Sequence, residues 1–264
     1  MTFSPVHRGG SGPPLVLLHG FTDTWRTWEL VMPALEARHE VLAPTLAGHA
    51  GGPPLAGEVS DELLADEVER AMDAAGFETA HVVGNSLGGY VGLQLAERGR
   101  ARSVLAFAPA GGWALGDPAF EETLAYFLAM QRGVKVLAGR ADAIVASAEG
   151  RRNVTRFITT DFEHIPAELI AHMMLGVARC EVAPLIEFAR EQGYELDPEK
   201  IECPVRIVWG TGDLLLRWPS TAARYREEWV PAAEWIELDG IGHCPQLDVP
   251  LEAAQLILDF AATT

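Results

Sequence analysis

Ala80-His81-Val82-Val83-Gly84-Asn85-Ser86-Leu87-Gly88-Gly89 is the stretch that decides the fold. A short apolar run ends at a glycine, and an apolar-rich segment from Leu87 to Arg98 follows. The pattern reads as strand, sharp turn, helix. Gly84, Ser86 and Gly88 form G-x-S-x-G at that turn. A serine on such a turn is held in a strained backbone conformation and projects its hydroxyl above the sheet. The residues two positions away must be glycine or very small, because the turn presses their Cα atoms against neighbouring backbone. The helix start also offers partial positive charge to a developing oxyanion. With 26 glycines in 264 residues, random order gives about 0.07 such matches. The competing reading is a glycine-rich helix start with an N-capping serine.

Outward from this turn, short apolar runs alternate with amphipathic stretches, the pattern of βαβ units and a parallel sheet. Strands are expected at Pro14–Leu18, Glu40–Ala43, Ala80–Val83 and Val104–Phe107. Ser60 is expected to N-cap a helix with Asp61 and Glu62 in its first turn, an apolar face of Leu64, Val68, Ala71 and Ala75, and a stop at Gly76. From Gly112 to Lys200 no strand pattern is present. Helices are expected there over about Pro118–Gln131, Arg151–Thr159, Pro166–Ala178 and Glu181–Glu191, two of them opening on proline. The strand pattern returns at Val205–Trp209 and Glu234–Leu238, with helices near Ser220–Trp229 and over Pro250–Phe260. The chain thus divides into an α/β core of residues 1–111 and 201–264, and a helical insert of residues 112–200.

A serine hydroxyl needs a base and an acid that orients the base. Leu18-His19-Gly20-Phe21 follows a strand and sets a backbone N–H beside the turn, so the expected oxyanion donors are the N–H groups of Phe21 and Leu87. Val208-Trp209-Gly210-Thr211-Gly212-Asp213 puts an aspartate just past a strand end, where α/β sheets place their chemistry. Asp239-Gly240-Ile241-Gly242-His243 puts a histidine after the last strand. The order Ser86, Asp213, His243 is that of a nucleophile, acid and base. Asp239 and Asp248 flank His243 as turn or cap residues, Asp61 and Asp66 read as a solvated helix face, and His19 and His49 read as structural. His7, His39 and His164 have no partner pattern.

Composition sets outer bounds. Twenty basic against 37 acidic residues leave a net charge of −17, which repels nucleic-acid backbones and anionic lipid surfaces. Cys180, Cys203 and Cys244 have no disulfide or metal-ligand spacing, so no metal is expected and Cys244 reads as packing. The first residues lack the apolar core of a secretory signal, and Leu15–Leu18 is too short to span a bilayer. A cytoplasmic protein is expected, with no nucleic-acid or membrane partner; its oligomeric state is open.

With these pieces assembled, the chain resembles the α/β-hydrolase superfamily over essentially its full length. The matching segments are His19–Phe21, Leu46–His49, Gly84–Gly89, Trp209–Asp213 and Gly240–His243, with Trp25 and Trp28 as an aromatic pair after the first. The resemblance implies an α/β-hydrolase fold, a mostly parallel twisted sheet flanked by helices, with the helical cap inserted after strand six. Room for the first two strands before Leu15 is small, so that hairpin is expected to be short or partly lost. The resemblance also implies a catalytic set of Ser86, Asp213 and His243, acyl-enzyme chemistry on an ester-like bond, a small-molecule substrate and no cofactor. Members that open epoxides or remove halides carry aspartate at the position of Ser86. Asn85 resembles the C–C bond hydrolases of ring-cleavage products, whereas Cys244 stands where they usually carry an aromatic. Lactonase or perhydrolase activity, and a non-catalytic receptor of the same fold, are further alternatives. The cap is expected to shape an apolar pocket, with Trp113, Tyr126, Phe127, Met130 and Met173 as lining candidates.

Overall fold

In the computed structural model, which describes residues 2–55 and 59–264, the strands are β1 (Val6–Gly10), β2 (Pro14–Leu18), β3 (Glu40–Pro44), β4 (Ala80–Asn85), β5 (Ala101–Phe107), β6 (Val205–Gly210) and β7 (Glu234–Leu238). They form one seven-stranded sheet in the order β1-β3-β2-β4-β5-β6-β7. Every pairing is parallel except that of β1 with β3 at one edge. The strands run almost wholly apolar because both faces are covered. Leu15, Leu17, Val83, Leu105 and Phe107 pack on one face against α1 (Met32–Glu36) and α10 (Pro250–Thr263). Val16, Leu18, Val82, Val104 and Ala106 pack on the other against α2 (Leu63–Ala75) and α3 (Leu87–Glu97). This alternation is the two-residue period of a strand expressed as two hydrophobic layers.

Between β5 and β6 the chain builds α4 (Pro118–Leu137), α5 (Ala141–Val145), α6 (Ala148–Thr155), α7 (Ala167–Arg179) and α8 (Val182–Gln192), with no strand among the described residues. A separate apolar cluster of Ala141, Val145, Phe162, Ile165, Leu169, Ile170 and Met173 holds α5 and α7 together. No single described helix is long and apolar enough to cross a membrane.

Several expectations need correction. One strand, not two, precedes β2, so the insert follows the fifth strand rather than the sixth. Helix α2 starts at Leu63 instead of at Ser60, because Asp61 turns away from a first-turn position and its carboxylate takes the Tyr90 hydroxyl, 3.0 Å from each oxygen. Asp61 is therefore not on a solvated face. Gly76 does end the helix, in the left-handed conformation at φ 81°. Helix α4 runs on to Leu137, α6 begins three residues early under a Ser147 cap, and α5 carries no signal long enough to have been read. The segment near Ser220 is not a regular helix but a 3-10 turn, Ser220–Ala222, followed by a π turn, Tyr225–Trp229.

A short α9 (Pro245–Asp248) ends in a buried carboxylate that clasps the insert to the core. Asp248 accepts from Thr160 N (2.8 Å), Asp161 N (2.7 Å), the Thr160 hydroxyl (3.0 Å) and Gly242 N (2.7 Å). Cys244 N donates to Ile158 O at 2.8 Å, and His164 Nε2 bonds Leu247 O at 2.6 Å. Asp248→Ala strands these buried donors. It is expected to cost about 3 kcal/mol in urea unfolding, and Asp248→Asn, which keeps one acceptor, less. A loss under about 0.5 kcal/mol would show that the clasp does not hold the insert down.

Candidate active site

Ser86 sits between β4 and α3 at φ 53° and ψ −118°, a conformation that costs an L-residue energy and needs support. The support is backbone. Ser86 N donates to Phe107 O at 2.9 Å, and Ser86 O accepts from Gly89 N (2.9 Å), Tyr90 N (3.2 Å) and Ala110 N (3.0 Å). A Cβ on Gly84 would overlap the Gly88 carbonyl, and one on Gly88 would overlap the carbonyls of Leu18 and His19. The glycines are thus required by close approach of two chain segments. The same approach lays the loop after β2 against the turn: a Cβ on Gly20 would stand 3.3 Å from Ser86 Cβ.

That loop is itself strained, with Thr22 at φ 69°. Among the described turn and cap hydrogen bonds, none uses the N–H of Phe21 or of Leu87. Leu87 N is one of the orphan donors of a helix's first turn. His19 anchors the loop: Nδ1 bonds Gly20 O at 2.8 Å and Nε2 accepts from Leu46 N at 2.9 Å. Burial, then the neighbouring His49, push its pKa well down, so it is a neutral, fully engaged ring. His49 is likewise pushed down by burial, to about 4, and packs edge-on against Phe21.

Asp213 and His243 come from the loops after β6 and β7, adjacent parallel strands whose C-terminal ends lie side by side. His243 Nδ1 is 2.7 Å from Asp213 Oδ2, and both side chains are buried. Asp213 Oδ1 accepts from Leu215 N and Leu216 N, each at 2.8 Å, which fixes the carboxylate. A carboxylate on Nδ1 makes that nitrogen the donor and leaves Nε2 with its lone pair. Neither rival acid reaches the ring: Asp239 takes the Thr211 hydroxyl at 3.2 Å, and Asp248 is spent on the clasp. Ser86 and His243 line the same cavity, and among the described residues no hydrogen bond joins them. Such bonds often tighten only with substrate.

Sequence reasoning did not assign a physical task to Asn85. Its Nδ2 donates to His243 O at 3.0 Å and Phe107 O at 3.2 Å, while its Oδ1 accepts from Gln246 Nε2 (3.1 Å) and the Cys244 thiol (3.3 Å). One buried amide therefore ties the serine turn to the histidine loop. Cys244 is buried, which pushes its thiol pKa well up, as expected of a packing residue.

Two cavities meet at Ser86 and share Phe21, Phe127 and Leu215. The smaller, about 70 Å³, is walled by Leu87, Trp113, Phe120, Leu124 and Ile186. The larger, about 550 Å³, is walled by Tyr126, Met130, Phe157, Met173, Met174 and His243, with Arg140 and Arg156 from the insert. Of the five lining candidates, Trp113 belongs to the smaller cavity, Tyr126, Met130 and Met173 to the larger, and Phe127 to both. Asp23, which carried no signal in the sequence, also lines the larger cavity. Among the described residues no group of three or more His, Cys, Asp or Glu side chains is arranged to hold a metal ion.

Comparison with known proteins agrees with this architecture. The chain is 35% identical over 217 residues to the epoxide hydrolase EphH of Mycobacterium tuberculosis, covering 76% of this chain and 95% of that one. It is 31% identical over 264 residues to a pimeloyl-[acyl-carrier protein] methyl ester esterase of Aeromonas hydrophila, covering 97% and 98%. The 2-hydroxy-6-oxo-6-phenylhexa-2,4-dienoate hydrolase of Rhodococcus sp. strain RHA1 shares the fold at a TM-score of 0.73 and 20% identity, over 96% of this chain and 92% of that one. The sequence profile of the Alpha/beta hydrolase family matches residues 15–256, and with the parallel sheet and the strained serine turn it shows that this chain belongs to that family.

Proposed function

We propose that the chain is a serine hydrolase that cleaves an ester-like bond of a small or medium, mostly apolar substrate. The observation that carries this reading is the His243–Asp213 pair, 2.7 Å apart, with the ring on the wall of the cavity that Ser86 also lines. In this reading Asp213 holds the tautomer with Nδ1–H, so Nε2 accepts the Ser86 proton as the hydroxyl attacks the carbonyl. The unused N–H groups of Phe21 and Leu87 stabilise the oxyanion, each worth about 3 kcal/mol in comparable sites. His243 then passes the proton to the leaving oxygen, and water activated by the same ring cleaves the acyl-enzyme.

The relatives narrow the chemistry without naming a substrate. One is an epoxide hydrolase and one a methyl ester esterase. Serine argues against the first activity. Attack of a hydroxyl on an epoxide leaves an alkyl ether, which has no carbonyl for water to attack, so the enzyme would not turn over. A second reading, C–C bond hydrolysis of a ring-cleavage product, draws on Asn85, whose amide braces the carbonyl of His243. Clearance of a coloured dienoate with no turnover of simple esters would select it.

Ser86→Ala is expected to abolish the burst of 4-nitrophenol from 4-nitrophenyl butyrate and to prevent labelling by an organophosphonate, read as a missing mass increment. Asp213→Asn is expected to lower kcat by about 10⁴-fold with KM little changed, because the ring takes the wrong tautomer. Labelling at another residue, or a full burst without Ser86, would end the serine-hydrolase reading. The apolar walls around Ser86 further lead to a preference of about 100-fold in kcat/KM for a butyryl over a succinyl ester of the same alcohol; equal turnover would contradict an apolar acyl site.

A further inference from the structure

The two cavities differ in one respect that bears on the substrate. His243 lines the larger and is absent from the smaller. In acyl transfer the histidine must reach the leaving oxygen, so the leaving group lies on its side and the acyl group on the other. The smaller cavity is apolar near Ser86, and at about one water-sized group per 10–15 Å³ it takes about five to seven heavy atoms. The larger holds a carboxyl, Asp23, the only one among its described lining residues.

Asp23 follows the loop that packs on Ser86, and its Oδ1 accepts from Thr24 N at 2.8 Å. No Arg, Lys or His forms an ion pair with it among the described residues. Part of the side chain opens to the cavity, while the surrounding walls keep bulk water off and raise its pKa to about 6. Its partners are Thr24 N and the Thr27 hydroxyl, both neutral donors, and a half-buried carboxylate held only by neutral donors still attracts a cation.

We propose that Asp23 is a specificity-determining residue that binds a cationic group, such as an ammonium, on the leaving-group half of an ester with a short apolar acyl chain. This rests on the serine-hydrolase reading and names its substrate class. Among the described residues, the other charged or titratable groups facing the same chamber are His243 and Cys244 from the loop after β7, and Tyr126, Arg140 and Arg156 from the insert.

The test compares 2-(dimethylamino)ethyl butyrate, which is cationic, with its neutral isostere 3-methylbutyl butyrate. The wild type is expected to favour the cation by about tenfold in kcat/KM near pH 7.5, and to lose that preference near pH 5, where Asp23 is protonated. Asp23→Asn keeps an oxygen for Thr24 N and is expected to bring the ratio close to one at both pH values. Turnover of 4-nitrophenyl butyrate by the same preparations separates a failed assignment of Asp23 from a failed hydrolase reading. A wild type that turns over that ester yet does not distinguish the pair, or a variant that keeps the distinction, overturns the proposal.

Discussion

At the end of β4 the chain reverses so tightly that Gly84 and Gly88 touch through backbone, and Gly88 in turn rests on the carbonyls of Leu18 and His19. No side-chain carbon fits in either place. This contact brings the C-terminal ends of β2 and β4 into register with each other, and the rest of the site is arranged around it. Ser86 is held at positive φ by it, the Phe21 loop is laid beside Ser86 by it, and α3 is aimed with its first N–H groups toward the same point. The strain at Ser86 is offset by the three N–H donors that converge on its carbonyl.

A second tier of buried polar groups joins what the turn cannot reach. Asn85 links the turn to the carbonyl of His243 and to Gln246, and Gln246 continues to the Thr27 hydroxyl at 3.2 Å. Asp248 carries the connection on to Thr160 and Asp161 of the insert. A buried network of this kind has few alternative arrangements, since a shift strands further donors or acceptors beside Gln246 Oε1, which already has no partner among the described residues. It makes the position of the histidine loop depend on both the sheet below and the helices above.

Charge is distributed with the same asymmetry. The chain carries a net −17, yet the larger cavity is bordered by Arg140 and Arg156, which form no ion pairs among the described residues. The same cavity is lined by Asp23, screened from bulk water. The smaller cavity presents mostly aromatic and aliphatic carbon around Ser86, with Asp61, Tyr90, Gln94 and Thr123 among its polar lining residues. Two halves of a substrate would thus meet different chemistry on either side of one hydroxyl.

Most of the sheet was legible in the sequence because each parallel strand, buried on both sides, is a continuous apolar run with glycine or proline nearby. The strand–turn–helix around Ser86 was legible for a partly local reason: Gly84 is dictated by sterics within the turn, although Gly88 is required by the carbonyls of Leu18 and His19 on a distant strand end. What escaped was set through space. Asp61 looked like a first-turn acid until Tyr90, 29 residues on, took it; Asp248 looked like a turn residue until the insert folded over it. Asp23 differs from any loop aspartate only by the cavity it faces. Chain order and its place after a strand singled out Asp213 over Asp239 and Asp248, but not its contact with the ring. Only the adjacency of β6 and β7 puts Asp213 on the imidazole, because neighbouring parallel strands release their following loops at the same edge of the sheet.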